Sequence, residues 1–288
     1  MAGDYIIVNK TSYGPRVPMT PLSFPFVHNT LPLNPEKQSF SEAWQRDYRR
    51  LKSCDKVERG DVVVFNFPEG DTVVLERAAE SYYQMLLSNE FGRTEAERRG
   101  NIAENYTIVT RPLDKKENYI KRCVAVAGDS LQIIDGRVYT NGVSEPEIPN
   151  KQYYYDIYNK TTGRVRANVL LRDTELATYA DTTRYRVSLS MGYAGEMLIP
   201  HRVTTGWTLD DFGPLWVPKA GECVELNAFN VAMYGRCITV YEGHSLEQRD
   251  GKYFVDGAEA AKYCFEQDYY FMMGDNRHGS LDSRFWGF

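Results

Sequence analysis

Near the C-terminal end of the chain runs Gly274-Asp275-Asn276-Arg277-His278-Gly279-Ser280-Leu281-Asp282-Ser283-Arg284-Phe285-Trp286-Gly287. A core strand does not carry four charges in so short a span, and a solvated charge run needs neither a tryptophan nor fixed glycines. The composition fits a tight loop whose Asp and Arg side chains tie down the backbone and hold a hydroxyl in place. A hydroxyl is a poor nucleophile until a neighbouring base takes its proton, and a neutral lysine can be that base without any histidine. A candidate base stands in Asn118-Tyr119-Ile120-Lys121-Arg122-Cys123-Val124-Ala125-Val126-Ala127-Gly128-Asp129, where Lys121 interrupts a mostly apolar β-type pattern closed by a Gly-Asp turn. A solvated lysine, with a pKa of about 10.4, is useless as a base at neutrality. Apolar walls pull such an amine towards roughly 7–8. A shift of about three units corresponds to roughly 4 kcal/mol, which only a packed site supplies.

The elements that must position these residues are mostly strands. Tyr5–Val8 and Asp61–Phe67 read as strands, and Ser130–Ile134 with Arg137–Thr140 reads as a hairpin around Asp135-Gly136. Pro15 to Pro35 holds six prolines and is expected as an extended crossing, neither helix nor central strand. Ser39–Leu51 alternates aromatic and charged residues at helical spacing, with Ser39 or Ser41 as a cap. Glu76–Asn89 and Thr94–Arg99, rich in Ala, Glu, Leu and Met, predict a helical excursion over about 76–105. From Thr140 to Lys262 short β-like runs alternate with turn signals such as Asn141-Gly142, Thr162-Gly163, Asp250-Gly251 and Asp256-Gly257. Asp210–Pro218 reads as a turn ending in an edge strand. The expected fold is mainly β: an antiparallel-sheet catalytic subdomain (3–140 with 262–288) carrying a small helical insertion, and an inserted β-rich subdomain (141–261).

The Gly274–Gly287 run, the Lys121 segment, Arg59-Gly60-Asp61-Val62-Val63-Val64-Phe65 and Gly3-Asp4-Tyr5-Ile6-Ile7-Val8-Asn9-Lys10 together resemble the bacterial type I signal peptidases. These are membrane-anchored serine endopeptidases working through a Ser–Lys dyad. The proline-rich stretch Tyr13–Phe26 resembles the Bacteroides-group version. What the resemblance implies, position by position, is that Lys121 is the general base and Ser280 the hydroxyl that orients its amine. Arg122, Asp275, Arg277, Asp282 and Arg284 become an ion-paired frame. Ile6, Val64, Tyr119 and Ile120 become apolar positions against which an extended signal peptide of an exported preprotein lies, main chain to strand.

The family's nucleophilic serine lies several residues before the Gly-Asp-Tyr block, where this chain has only Met1 and Ala2. Ser12 and Ser23 fall on the wrong side of that block. The expectation is therefore a catalytic domain with its base and without its nucleophile segment, trimmed at both ends and inactive as it stands. The implied parent has a membrane helix upstream of Gly3 and a catalytic domain on the periplasmic face of the cytoplasmic membrane. The alternative is a nucleophile-free relative acting as a binding or scaffold module of the envelope. The family joins its Gly-Asp and Lys blocks by a short hairpin, so the helical excursion is a departure, read as a surface insertion.

Composition narrows the partners further. A net charge of −5 without a basic cluster argues against nucleic acid. The five cysteines lack metal-ligand spacing, so no metal or other cofactor is expected; their odd number leaves at least one unpaired within the chain. His28, His201, His244 and His278 lack motif context, and His278 is expected to be a bystander. No run approaches the roughly 18–20 apolar residues of a membrane span.

Overall fold

Short strands closed by tight turns dominate the architecture, and the computed structural model describes residues 7–25, 27, 29–68, 70, 72–77, 80–190, 197–201 and 203–288. The fold is mainly β, with antiparallel sheets and few helices. The chain divides into two compact units, 1–57 with 63–120, and 58–62 with 121–288.

In the first unit, β1 (Thr30–Leu31) and β2 (Asn34–Gln38) form an antiparallel ribbon within the proline-rich region. The helix expected over Ser39–Leu51 does not form. The backbone of this segment instead runs beside the proline-rich segment. The amides of Arg46 and Leu51 donate to the carbonyls of Met19 and Pro15 (2.9 and 3.0 Å), and Val17 N–H donates to Arg49 O at 2.9 Å. Proline lacks a donor but keeps its carbonyl, so the extended crossing offers acceptors that replace the i−4 bonds of a helix.

β3 (Val62–Asn66), β4 (Thr72–Val74), α1 (Tyr82–Leu87), α2 (Glu95–Asn105) and β5 (Ile108–Thr110) follow. β4 and β5 pair antiparallel, and α1 and α2 lie between them in the chain. α2 starts with a capping box in which Thr94 and Glu97 satisfy each other's amides, which is why it begins there. Val74, Tyr82, Met85, Leu86 and Ile102 give this segment a core of its own. Of the strand expected at Tyr5–Val8, residues 5 and 6 lie outside the described residues, and Ile7 and Val8 are in no strand.

The second unit takes the end of β6 (Asn118–Ala125), then β7 (Ser130–Ile134), β8 (Arg137–Thr140) and β9 (Val143–Ser144). The β7–β8 turn puts Asp135 and Gly136 at φ +49° and +76°, the left-handed pair a two-residue hairpin demands. β10 (Gln152–Asn159), β11 (Val165–Arg172) and β12 (Tyr185–Leu189) make a sheet with β10 central. β10 alternates strictly and buries Tyr153, Tyr155 and Ile157 on one face. β13 (Phe212–Trp216) is the edge strand expected there, and it pairs with β7.

β14 (Cys223–Glu225), α3 (Ala228–Arg236), β15 (Leu246–Arg249), β16 (Lys252–Val255), β17 (Ala258–Glu259), β18 (Lys262–Cys264), β19 (Phe271–Met273) and α4 (Ser283–Trp286) complete the chain. β19 pairs antiparallel with β6, setting Met273 opposite Arg122 and Phe271 opposite Ala125. Val124, Leu131, Phe212, Ile238, Phe265 and Phe271 belong to one buried cluster, so residues on both sides of positions 140 and 261 share a core.

Cys223 and Cys264, directly opposite in β14 and β18, form a disulfide across a separation of 41 residues. Cys123 and Cys237 are buried thiols and Cys54 is exposed. Cross-linking a loop of this length removes on the order of 3–4 kcal/mol of unfolded-state freedom. The Cys223→Ser/Cys264→Ser double variant should lose about that much stability in urea denaturation. An unchanged midpoint would mean that the bond constrains nothing in the unfolded chain.

Candidate active site

Lys121 leaves β6 where the strand passes from its exposed start to its buried end: Cys123, Val124 and Ala125 beyond it are buried, while Lys121 is half-buried. Its Nζ donates to Ser280 Oγ at 2.7 Å. Two groups separated by 159 positions are thereby in direct contact within one compact unit. Burial, the largest influence, pushes the Lys121 amine below its ordinary value. The Asp282 carboxylate works against that shift and the Arg284 guanidinium with it.

The loop that delivers Ser280 begins as β19 ends at Met273. A Cβ on Gly274 would lie 2.2 Å from Ser280 Oγ, 2.6 Å from Ser280 Cβ and 3.4 Å from Lys121 Nζ. The glycine is thus the space that the Lys–Ser pair occupies. Gly274 N–H donates to Asp282 Oδ2 at 3.2 Å, closing the loop on itself. Asp282 is fully buried and caps α4 by accepting from the Arg284 amide. Arg284, 1% exposed, grips the same carboxylate through Nε and Nη2 at 2.9 and 2.8 Å, and reaches the carbonyls of Leu209 and Arg277. Ser283 Oγ accepts from Met272 N–H at 2.9 Å, so α4 is pinned back onto β19.

The charged residues of the expected frame make three separate ion pairs, one of them with a partner outside that set. Arg122 holds Asp275 through two bonds of 2.9 and 2.7 Å and donates to Gly60 O at 2.7 Å. Arg284 holds Asp282. Arg277, 1% exposed, reaches outside the motif to Glu145 at 2.6 Å, and Glu145 also receives Lys151 at 3.0 Å. Glu145 was not singled out by sequence: it sits in the turn-rich Ser144-Glu145-Pro146-Glu147 without motif context.

His278 is part of this scaffold. Its Nδ1 accepts from Tyr154 N–H at 3.0 Å and its Nε2 meets Asp210 Oδ1 at 2.6 Å, which fixes the proton on Nε2. The ring stacks on Tyr154. Asp275 O and Arg277 N–H also bond to Gln152, so β10 begins as a parallel neighbour of the loop. Asp210, read only as part of a turn, is the second residue that sequence reasoning passed over.

Of the expected substrate positions, three are among the described residues. Val64, Tyr119 and Ile120 belong to the other compact unit; Tyr119 stacks on Phe67 at 4.8 Å and Ile120 is 49% exposed. Ile6 lies outside the described residues, as does His28. His201 Nε2 meets Phe285 O, and His244 lies between Asp256 and Glu266.

Comparison with known proteins matches the chain over residues 1–188 and 219–288 to the family model described as signal peptidase, peptidase S26. Signal peptidase I of Buchnera aphidicola is 21% identical over 76% of this chain and 58% of that protein. Signal peptidase I of Haemophilus influenzae is 23% identical over 99% of this chain and 54% of its own length. That of Aquifex aeolicus is 57% identical over 37 residues, 13% of this chain and 14% of that one. The chain thus spans little more than half the length of the first two. No solved structure matches it.

Two substitutions test the construction of the loop. Asp282→Asn leaves Arg284 buried without its counter-charge and should cost about 3–5 kcal/mol, read as a lowered urea midpoint. Gly274→Ala, forced against Ser280 Cβ, should cost about 1–3 kcal/mol. It should also move the Lys121 and Ser280 NMR resonances far more than those of the β10–β12 sheet. Unshifted resonances would show that the loop absorbs the methyl without parting the pair.

Proposed function

We propose, for a chain that belongs to the signal peptidase (peptidase S26) family, that Lys121 is the general base of a peptide-bond hydrolysis whose substrates are the signal peptides of exported preproteins. The observation that carries this reading is the half-buried Lys121 amine, lowered by desolvation and held at 2.7 Å from the Ser280 hydroxyl. In the reaction, neutral Nζ removes the proton of a serine hydroxyl as its Oγ bonds to the scissile carbonyl carbon. The ammonium so formed passes the proton to the departing amine. Water then attacks the acyl–oxygen ester, Lys121 taking its proton and returning it to the serine Oγ as the C–Oγ bond breaks and the carboxyl product leaves.

Ser280 is read as the group that orients Nζ rather than as the nucleophile, and Arg122, Asp275, Arg277, Asp282 and Arg284 as the frame that fixes the loop. Ile6, Val64, Tyr119 and Ile120 are proposed to line the path of the peptide. The nucleophile is not assigned to Ser12, Ser23 or Ser280. No cofactor is required by this chemistry. The Cys223–Cys264 disulfide favours an oxidising location, in keeping with action on the periplasmic side of a membrane. Among the described residues no helix is long and apolar enough to cross a membrane, so attachment to one is proposed from the family alone.

In a form of the protein that cleaves an Ala-x-Ala preprotein, Lys121→Ala should abolish turnover. Ser280→Ala should lower kcat by about 10- to 100-fold, since orientation is only part of the base's advantage. A loss with Ser280→Ala as complete as with Lys121→Ala would make Ser280 the nucleophile. Failure of every active-length form to cleave would overturn the reading.

The pH dependence has a defined sign. The base works deprotonated, so rate falls as pH drops through the lowered Lys121 pKa. Stability moves the same way for a different reason. The unfolded chain binds the lysine proton up to about 10.4 while the folded chain releases it earlier, so unfolding free energy from this group rises with pH between those two values. Lys121→Met, which removes the desolvated ammonium, should raise the urea midpoint at pH 7 while abolishing activity. A lowered midpoint would mean that the amine is not held at a cost.

A further inference from the structure

A cleft of about 570 Å³ is lined in part by Glu145 and Lys151, and the proposed hydrolysis makes no use of it. It lies between the β7–β8 turn and the aromatic face of β10, within one compact unit. Among its described lining residues, four carboxylates (Asp135, Glu145, Glu147 and Asp173) face two cations, Arg137 and Lys151. Glu145 is already spent on Lys151 and Arg277, at 3.0 and 2.6 Å. Asp173 comes no closer than 3.9 Å to Lys151. Asp135 and Glu147 have no ion-pair partner among the described residues.

An excess of acid would be no more than a solvated rim were it not for Tyr155. This side chain is only 8% exposed and lines the cleft, yet its hydroxyl has no hydrogen-bond partner among the described residues. The hydroxyl is not sealed from solvent: it opens onto the cleft, where a ligand atom can replace the water that pairs it. Burial first, then the negative charges of Asp173 and Asp210, push this phenol up to about 12. The hydroxyl therefore stays neutral, an acceptor or donor in a field that favours positive charge.

The cleft also contains its own precedent. The Lys151 ammonium, 8% exposed overall, sits beside Glu145 and 5.6 Å from the centre of the Tyr153 ring. Carboxylate plus tyrosine face is thus already how this wall holds one cation. Tyr155, 6.2 Å from Tyr153 ring to ring, with Asp173 nearby, repeats those elements with no cation in place.

We propose that this cleft is a second binding site, taking the guanidinium or alkylammonium group of a basic peptide side chain between Asp173, the Tyr155 hydroxyl and the carboxylates of the rim. It is independent of the Lys121 chemistry, and its ligand is recognised by charge and by a π face rather than by shape of the backbone.

The test is titration of the whole chain, followed by amide NMR shifts, with a capped Ala-Arg-Ala peptide. Its Lys and citrulline counterparts, agmatine and inorganic phosphate serve as comparisons. The Arg and Lys peptides should bind and shift amides around Ser144, Tyr155 and Asp173, and the neutral citrulline peptide should bind at least tenfold more weakly. Asp173→Asn should weaken the Arg peptide about tenfold and Tyr155→Phe about threefold, the latter keeping the ring and its packing. Lys121→Ala should leave binding unchanged, which separates this site from the catalytic reading. Equal binding of citrulline, preference for phosphate, or shifts confined to other regions would overturn the proposal. Binding of agmatine without the peptides would overturn its peptide source.

Discussion

Everything around the motif loop depends on one buried ion pair, Asp282 with Arg284. A carboxylate and a guanidinium, 0% and 1% exposed, lose their water together, and such pairs rarely add net stability over apolar side chains of the same size. What this pair supplies is uniqueness of position. Asp282 simultaneously accepts from the Gly274 amide, caps α4 and receives two guanidinium bonds. The loop cannot shift its register without stranding one of these donors in a dry environment. Ser280, two residues before the carboxylate, inherits that precision.

The same pair explains how Lys121 can be both near a carboxylate and depressed in pKa. A lone Asp282 would stabilise the ammonium and defeat a base. With Arg284 clamped on the same carboxylate, the two charges oppose each other at Nζ, and desolvation is left as the dominant influence. The frame arginine is thus electrostatic as well as structural: it cancels the field of the residue that it immobilises. Gly274 makes the complementary steric contribution, because any side chain there would occupy the volume of the hydroxyl that meets the amine.

Much of this was legible in the sequence, for reasons that can be stated residue by residue. Lys121 and the acid–arginine run stand out because charged groups amid apolar or glycine-bounded runs have few purposes but mutual satisfaction, whereas the pairing of Ser280 with Lys121 comes from the family resemblance. The hairpin at Asp135-Gly136 is equally plain, since its backbone demand selects its residues. Ser39–Leu51 misled because helical spacing is a local signal, whereas the carbonyls of a distant proline-rich crossing decide what its amides bond to. Glu145, Asp210 and Tyr154 were invisible for the same reason in reverse. Nothing local distinguishes a glutamate in Ser-Glu-Pro-Glu or an aspartate in a turn from a solvated one; only the fold reveals that Arg277 and His278 end there.

Those remote partners change the meaning of the long stretch between the two motif segments. The loop is gripped by Glu145 at Arg277, by Gln152 along its backbone, by Tyr154 and Asp210 at His278, and by Leu209 O at Arg284. Each grip comes from residues 145–210, a region that sequence reading assigned to an inserted subdomain. An amine lowered by desolvation relaxes as soon as water or a mobile neighbour reaches it, so the depression of the Lys121 pKa rests on the stiffness of its surroundings. That region therefore acts as the buttress that keeps a two-atom contact between residues 159 positions apart. A spacer could be replaced by any linker of sufficient reach, but a buttress constrains both ends of what it braces. That is why so many of its polar side chains point back at one short loop.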